Sequence, residues 1–334
     1  MTNPKVSVII PNYNYAHFLE HRIRSVLNQT YRDFEVFYID DASTDNSIEV
    51  FSRFTDDSRL RGYFNKVNSG CVFKLWNNGM RLAQGKYVWI AESDDFADER
   101  FLEELVPRLD MNPEVGLAFC KSWNIDEWDN ILACWEEWIA EGNSERWRDD
   151  FIAEGKEECR RQLIVGTTIP NASAVLIRRN VYEKAGYADE SMKVAGDWLM
   201  WAKMLMISDV AFVAKPLNYF RTHPSTNRRK TLTNGIRIEE DYKVIRYILD
   251  NLDVSPTVAE QVCDKIAIRW VNTMVSKKGW IPWHRNYEIY KIARDIDLRL
   301  PVRLARKIAF RPKRAISRRF AKVRIDFILK KKNI

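Results

Sequence analysis

The chain has 334 residues, 46% hydrophobic and 30% charged, an ordinary globular composition long enough for one large α/β domain plus an extension. No apolar run approaches the roughly 18–20 residues of a membrane span, and the N-terminus MTNPKVSVII lacks the features of a signal peptide. The five cysteines (Cys71, Cys120, Cys134, Cys159, Cys263) fall in no CxxC spacing, so a reduced, cytoplasmic protein without zinc or disulfides is expected.

The net charge of +7 is unevenly held. Residues 301–334 carry 13 of the 53 Lys/Arg and one acidic residue, Asp326, whereas the other 300 residues carry 40 basic and 45 acidic ones. An acidic body with a strongly basic end points to an anionic partner for that end.

In chain order, VSVII (6–10) is a β-branched run ended by Pro11 and predicts a buried strand. AHFLEHRIRSVLNQT (16–30) has helical spacing, FEVFYID (34–40) predicts a second strand, and DNSIEVFSRF (45–54) a second helix with Ser43 or Asp45 as N-cap. RLRGYFN (59–65), FKLWNNGMRLA (73–83) and KYVWIAES (86–93) continue as strand, helix and strand. This β-α-β-α-β-α-β order predicts a mostly parallel sheet covered by helices on both faces. DERFLEELVPRLDMN (98–112) reads as a helix. VGLAFCKSWNID (115–126) and NILACWEEW (130–138) read as strands joined by a turn, while 139–165 shows no period. ASAVLIRR (172–179) is strand-like, NVYEKAGY (180–187) and DWLMWAKMLMI (197–207) are helical, and VAFVAKPLNYFRTH (210–223) is strand-like around a break at Pro216. From Gly235 the pattern is helical to the end.

Ligands of parallel sheets bind beyond the carboxyl ends of the strands. NYN (12–14), DDAS (40–43) and ESDD (92–95) follow three of those strands and should converge on one rim. Glu92, Asp94 and Asp95 in WIAESDD repel one another and are costly to bury unpaired, so a positive partner is expected there. Alone, the cluster also reads as an acidic helix cap, and DDAS as a turn followed by a cap.

Two ordered blocks, VSVIIPNYNYAHFLEHRIRSVLNQTYRDFEVFYIDDASTDNS and NSGCVFKLWNNGMRLAQGKYVWIAESDD (68–95), resemble family 2 glycosyltransferases. The resemblance covers roughly residues 5–225. It implies the GT-A (nucleotide-diphospho-sugar transferase) fold, Rossmann-like and mostly parallel, with a helical C-terminal extension. The expected domains are a catalytic domain over 1–230, with a nucleotide-binding half at 1–98 and an acceptor half at 99–230, and a helical extension over 231–334.

The resemblance also implies an inverting transfer from a nucleotide-diphosphate donor, a UDP-sugar, to a glycan or lipid-linked acceptor in cell-surface polysaccharide or glycolipid assembly. Asp94 and Asp95 become the acidic metal motif for Mn²⁺ or Mg²⁺, with Asp95 the direct ligand. Such a cation steadies the departing nucleoside diphosphate. Glu92 stands where many relatives have Asp. Asp41 would accept from the nucleobase and Asp40 bind ribose or brace the loop, with Pro11, Tyr13 and Asn14 lining the pocket. Lys66 and Asn68 either touch the nucleotide or belong to an exposed loop.

VAGDWLMW (194–201) resembles the family's later acidic motif. Asp197 is then the general base, or a helix cap, or both. Trp198 lines the acceptor pocket or the core. His223 completes the metal shell or is structural, and Arg221, Arg228 and Arg229 are candidates to cover the phosphates. Trp123, Trp128, Trp135, Trp138 and Trp147 read as sugar platforms or hairpin core.

In the basic end, Ile316, Phe320, Val323 and Phe327 share one helical face, which predicts an amphipathic helix lying on an anionic membrane. A helix packed on the domain, or a nucleic-acid arm without a recognised module, are the other readings. Two other functions stay open. A nucleotidyltransferase making sugar nucleotides would have a Gly-rich loop after the first strand, and PNYNYAHF has no glycine. A non-catalytic nucleotide-sugar-binding protein held at a membrane would bind without turnover. A dehydrogenase is disfavoured because no GxGxxG follows that strand.

Overall fold

The computed structural model describes residues 3–134, 145–169, 171–223, 231, 233–276 and 281–309. Strand β1 (Val6–Asn12), β-branched at Val6, Val8, Ile9 and Ile10, is buried at every position, so it lies inside a sheet covered on both faces. It pairs in parallel with β2 (Phe34–Asp40) on one side and β4 (Tyr87–Ile90) on the other, and β2 pairs in parallel with β3 (Leu60–Phe64). Helices α1 (Ala16–Leu27), α2 (Ser47–Ser52) and α3 (Val72–Leu82) form the crossovers. Each longer crossover buries a stripe at helical spacing, Leu19, Ile23 and Val26 in α1 and Phe73, Trp76 and Met80 in α3.

Six further strands complete a ten-stranded sheet: β5 (Phe96–Ala97), β6 (Val115–Ile125), β7 (Ile131–Cys134), β8 (Phe151–Ala153), β9 (Val175–Arg178) and β10 (Asp209–Arg221). The order is β3-β2-β1-β4-β9-β6-β10-β5, with β7 on β6 and β8 on β10. Strand β9 runs antiparallel to both β4 and β6, and β6 is parallel to β10. Strands β1, β2, β3, β4, β6 and β10 therefore share one direction, and their carboxyl ends share one rim. Helix α4 (Phe101–Met111) packs on the far half through Trp89, whose ring stacks on Phe101 at 4.4 Å while its indole N–H donates to the Ser173 carbonyl at 2.8 Å.

The elements expected from periodicity are present, with three differences. The break anticipated at Pro216 is an irregularity in one continuous strand: register shifts flank Pro216 in the β6–β10 ladder, which absorbs a residue with no N–H to donate. The segment without period contains β8, helix α5 (Gly155–Glu158) and a π turn over Cys159–Leu163, all too short to show one. The first part of ASAVLIRR is a 3₁₀ turn over Ala172–Ala174, where the Asn171 side chain accepts from the Ala174 N–H. Residues 135–138 of the second predicted hairpin strand lie outside the described residues. Helices α6 (Arg179–Lys184) and α7 (Gly196–Leu205) precede β10.

The chain divides into two compact units, residues 1–232 with 243–254, and residues 233–242 with 255–334. Helix α8 (Ile236–Asn251) contributes its first turns to the second unit. That unit otherwise comprises α9 (Pro256–Val275), α10 (Trp283–Ile296) and α11 (Leu300–Ala309). Ser255 caps α9 by accepting from the Val258 N–H, with Pro256 at the first helical position. Trp270 of α9 donates to Asn286 of α10 at 2.8 Å. The buried Asp241 is held by Arg237 at 2.7 Å and by Arg269. No described helix is long and apolar enough to cross a membrane. The predicted amphipathic face Ile316, Phe320, Val323 and Phe327 lies outside the described residues.

Gly85 lets β4 approach β1. A Cβ there would sit 2.6 Å from the Ser7 nitrogen and 2.8 Å from the Val6 carbonyl carbon, backbone atoms that cannot swing away. Gly85→Ala is expected to destabilise the first unit by about 1–3 kcal/mol, read as a lower urea midpoint with unchanged slope.

Candidate active site

The rim begins where β1 and β2 end. Asn12 is buried, and its amide donates to Asp40 at 3.0 Å and to the Ser43 hydroxyl at 3.1 Å. Asp40 also accepts from the Tyr38 hydroxyl and the Ser43 N–H, each at 2.8 Å. Its carboxylate therefore braces the DDAS loop. Asn14 adopts φ 58° and accepts from the Thr44 N–H at 2.7 Å, so it ties the NYN loop to DDAS. Asp41 faces the β3 side, accepting from Asn65 at 2.7 Å and from the Ser69 N–H and hydroxyl at 2.8–3.0 Å. Tyr13, Lys66 and Asn68 are exposed around this loop, and Pro11 is buried with its carbonyl accepting from Ser93 at 2.7 Å.

Past β4, Glu92, Asp94 and Asp95 stand together, and the positive partner is Arg22. This residue sits in the apolar stripe of α1, fully buried, with Nε donating to the Glu92 carbonyl at 2.8 Å. Its guanidinium lies 5.7 Å from the Trp89 ring, and Nη1 and Nη2 are buried without a hydrogen-bond partner. Burial pulls the Arg22 guanidinium down to about 10, while attraction from Asp95, Asp94 and Glu92 holds it up. One buried cation does not balance three carboxylates. Burial and then Asp94 push Asp95 up to about 7, and burial followed by Asp94 pushes Glu92 up to about 8. Glu92 keeps an edge to solvent and accepts from the Trp76 indole at 2.7 Å.

The far end of β10 closes the site. The Arg221 N–H donates to Asp95 at 2.9 Å, and its Nε to the Asp94 carbonyl at 2.7 Å. The same guanidinium reaches the Asp126 carbonyl at 2.8 Å and Asp129 at 2.5 Å, over the Phe18 ring at 4.6 Å. Arg221 is thus a buried clamp between the ESDD loop and the β6–β7 turn. Two residues on, His223 Nε2 lies 3.2 Å from Asp94, its ring packed edge-on to Tyr15 at 5.6 Å. Burial, then Asp94, raises the Tyr15 hydroxyl well above its ordinary value, so it stays a neutral wall. Arg228 and Arg229 lie outside the described residues.

Asp197 opens α7 and accepts from the Trp198 N–H at 2.7 Å. Its helix abuts α3: Gly196 leaves no room for a Cβ beside the Phe73 ring. One turn beyond Asp197, Trp201 stacks on Trp76 at 6.3 Å, and Trp76 is the residue that donates to Glu92. Trp198 is buried and donates to the Leu163 carbonyl at 2.9 Å, so its ring belongs to the interior of the unit. Trp147 is buried among Phe119, Phe151 and Phe212, whereas Trp128 is exposed at the β6–β7 turn. Trp135 and Trp138 lie outside the described residues.

Among the described residues no three His, Cys, Asp or Glu side chains are arranged to hold a metal by themselves. The donors Asp94, Asp95 and His223 nevertheless suit a hard divalent cation that takes further oxygens from a ligand, and the raised Asp95 and Glu92 mark a place short of positive charge. Sequence reasoning missed Arg22, Trp76, Ser173 and Tyr15. Arg22 had a visible signal, a charge at the i+3 position of the stripe Leu19, Ile23, Val26.

A mixed sheet with a largely parallel centre, carboxylates at the strand ends and a helical C-terminal region define the GT-A fold. The chain aligns with Staphylococcus aureus TarS 1–349, solved with UDP-GlcNAc, at TM-score 0.62 and 17% identity over 89% of this chain and 81% of that one. It aligns with the Pyrobaculum calidifontis mannosyltransferase PcManGT, solved with GDP-Man and Mn²⁺, at TM-score 0.56 and 17% identity over 98% and 81%. The sequence model of glycosyl transferase family 2 matches residues 7–185, more than half of the chain. The protein belongs to that family of glycosyltransferases. A curated relative, glycosyltransferase GlyG of Streptococcus pneumoniae serotype 4, is 26% identical over 88% of this chain and 94% of its own length.

Two outcomes follow from the charge balance. Native Glu92 holds its proton up to about 8, against an ordinary 4.5, so between those values the native state binds more protons than the unfolded chain and stability falls as pH rises. Without divalent cation the thermal midpoint should drop across that window, and Mn²⁺ should restore more of it at the alkaline end, where the carboxylates are ionised. A midpoint rising with pH there would contradict the balance. Arg22→Met removes the internal cation and should cost about 3–5 kcal/mol by urea titration, with part recovered by Mn²⁺; wild-type stability would show that Arg22 does not carry the carboxylates.

Proposed function

We propose that the protein is an inverting glycosyltransferase that moves a sugar from a UDP-sugar to a glycan or lipid-linked acceptor at the β1–β2–β4 rim. The observation that carries this reading is the meeting of the ESDD carboxylates with His223 and Arg221 from β10, beside the Asp41 loop. The nucleotide sugars held by TarS and PcManGT support a nucleotide-diphosphate donor, and the Mn²⁺ of the latter supports a divalent cation at Asp94 and Asp95.

In this reading Asp41 receives the base. Its carboxylate is oriented by Asn65 and by the Ser69 N–H and hydroxyl, and it is the acceptor offered to a base N–H. A bound cation supplies charge stabilisation for the departing diphosphate. Asp95 is steered by the Arg221 N–H, and Asp94 by His223. Asp197, at the start of α7, takes the proton of the acceptor hydroxyl as that oxygen attacks the anomeric carbon from the face opposite the leaving group. A single displacement inverts the configuration.

Calorimetric titration with UDP, GDP, dTDP and CMP, each with and without Mn²⁺, tests the donor side. One nucleotide should bind in a Mn²⁺-dependent manner, and Asp94→Asn and Asp95→Asn should abolish that dependence while the fold persists. Binding insensitive to both cation and substitution would overturn the site. Asp197→Asn should lower kcat by about 10²–10⁴-fold and leave nucleotide affinity unchanged; an unchanged kcat would remove Asp197 as the base.

A further inference from the structure

Helix α11 turns two of its cations inward beside the buried Leu300 and the half-buried Leu304. Arg303, with only 9% of its side chain exposed, is held by Asp297 at 2.6 Å and by Asp264, and Lys307 reaches Asp264 at 2.6 Å. The opposite side carries Pro301, Val302, Ala305, Ile308 and Ala309 with a single cation, Arg306, and all of these are exposed. Val302 is 55% and Ile308 54% exposed, and Leu298, just ahead of the helix, is 76% exposed. A surface helix normally hydrates the side turned away from the unit with polar residues, whereas here that side is largely aliphatic.

The preceding helix repeats the arrangement with aromatic residues. Trp283, Tyr287 and Tyr290 of α10 follow i, i+4, i+7 spacing and are 81%, 51% and 38% exposed, while Ile289 and Ala293 on the other side are buried. Lys291 stands 5.1 Å from the Tyr287 ring. Apolar side chains left exposed in a run along one side of a helix mark an interaction surface. Trp and Tyr in particular favour the boundary between water and lipid.

Charge selects the partner. The 25 residues after Ala309 contain ten Lys or Arg and one acidic residue, Asp326. A second copy would bring two such segments together, and they repel. A nucleic acid would engage the cations but gives no burial to Leu298, Val302 and Ile308. A bilayer with anionic headgroups satisfies both chemistries at once.

We propose that α10 and α11 form a docking face for an anionic membrane, with Trp283, Leu298, Val302 and Ile308 entering the headgroup–acyl boundary and the basic residues of 310–334 engaging the headgroups. The charge of the chain end draws the protein to the surface, and the outward apolar side of α11 anchors it there.

Flotation of the full chain with phosphatidylcholine vesicles, with and without phosphatidylglycerol, tests this. The wild type should float only with phosphatidylglycerol. Val302→Glu with Ile308→Glu should lower that partition by about tenfold or more, with circular dichroism and UDP titration unchanged, because both positions are exposed. Trp283→Ser should weaken it in the same direction. Failure to float, or flotation of the double-Glu variant equal to wild type, would overturn the proposal. So would a wild-type dimer in sedimentation velocity that the same two substitutions dissociate, or displacement from vesicles by duplex RNA at equal charge, since these assign the face to a second copy or to nucleic acid.

Discussion

Glu92, Asp94 and Asp95 repel one another at the end of a strand whose every residue is buried, and the surrounding architecture is organised around that repulsion. Arg22 enters from below on α1 and holds the Glu92 carbonyl, and its unpartnered nitrogens show that it is placed for its charge more than for its hydrogen bonds. Trp76 donates to the Glu92 carboxylate from one side, the Ser173 hydroxyl accepts from the Glu92 N–H, and Arg221 lays its backbone N–H on Asp95 from above. Even so Glu92 and Asp95 stay above the ordinary carboxylate range. The protein spends folding free energy on a rim short of positive charge, which is what a site for a cation with a charged ligand requires.

The two sides of the rim have different origins. One side comes from β1, β2 and β4, inside the stretch that matches the family model. Asp197, Arg221 at the end of β10 and His223 two residues on lie beyond it. The long β6–β10 ladder, from Val115 to Ile125 on one strand, carries β10 back across the sheet and delivers its end to the ESDD loop. The α3–α7 contact through Trp76 and Trp201 joins Asp197 to the same neighbourhood, so residues far apart in the chain meet at one set of carboxylates.

Much of this was legible from sequence. Alternation between strand and helix periods predicted the order of the first half, because β1, β2 and β4 are buried throughout and α1 and α3 bury one stripe at helical spacing. The three polar clusters after β1, β2 and β4 could be placed on one rim from topology alone. Arg22 was not seen, although it interrupts an otherwise apolar stripe, because a charge in such a stripe reads as tolerated snorkelling until the carboxylates above it are located. Strand β8 and the π turn escaped because three to five residues cannot display a period. The outward apolar side of α11 was invisible for another reason: VRLARKIAF has two faces, and which one turns inward is decided by Asp264 and Asp297, neither of them inside that segment.

The clamp by Arg221 also bears on how the protein comes to be folded. Its guanidinium meets the Asp94 carbonyl across 127 residues of chain, one of the long loop closures in the first unit. During synthesis the parallel half of the sheet is complete well before β10 exists. Until that strand docks, the nascent chain carries clustered carboxylates balanced by Arg22 alone and presents an unpaired edge on β6. The competent rim is therefore among the late structures to form, and a chain that stops short of β10 lacks both the clamp and the histidine while most of its sheet is already in place.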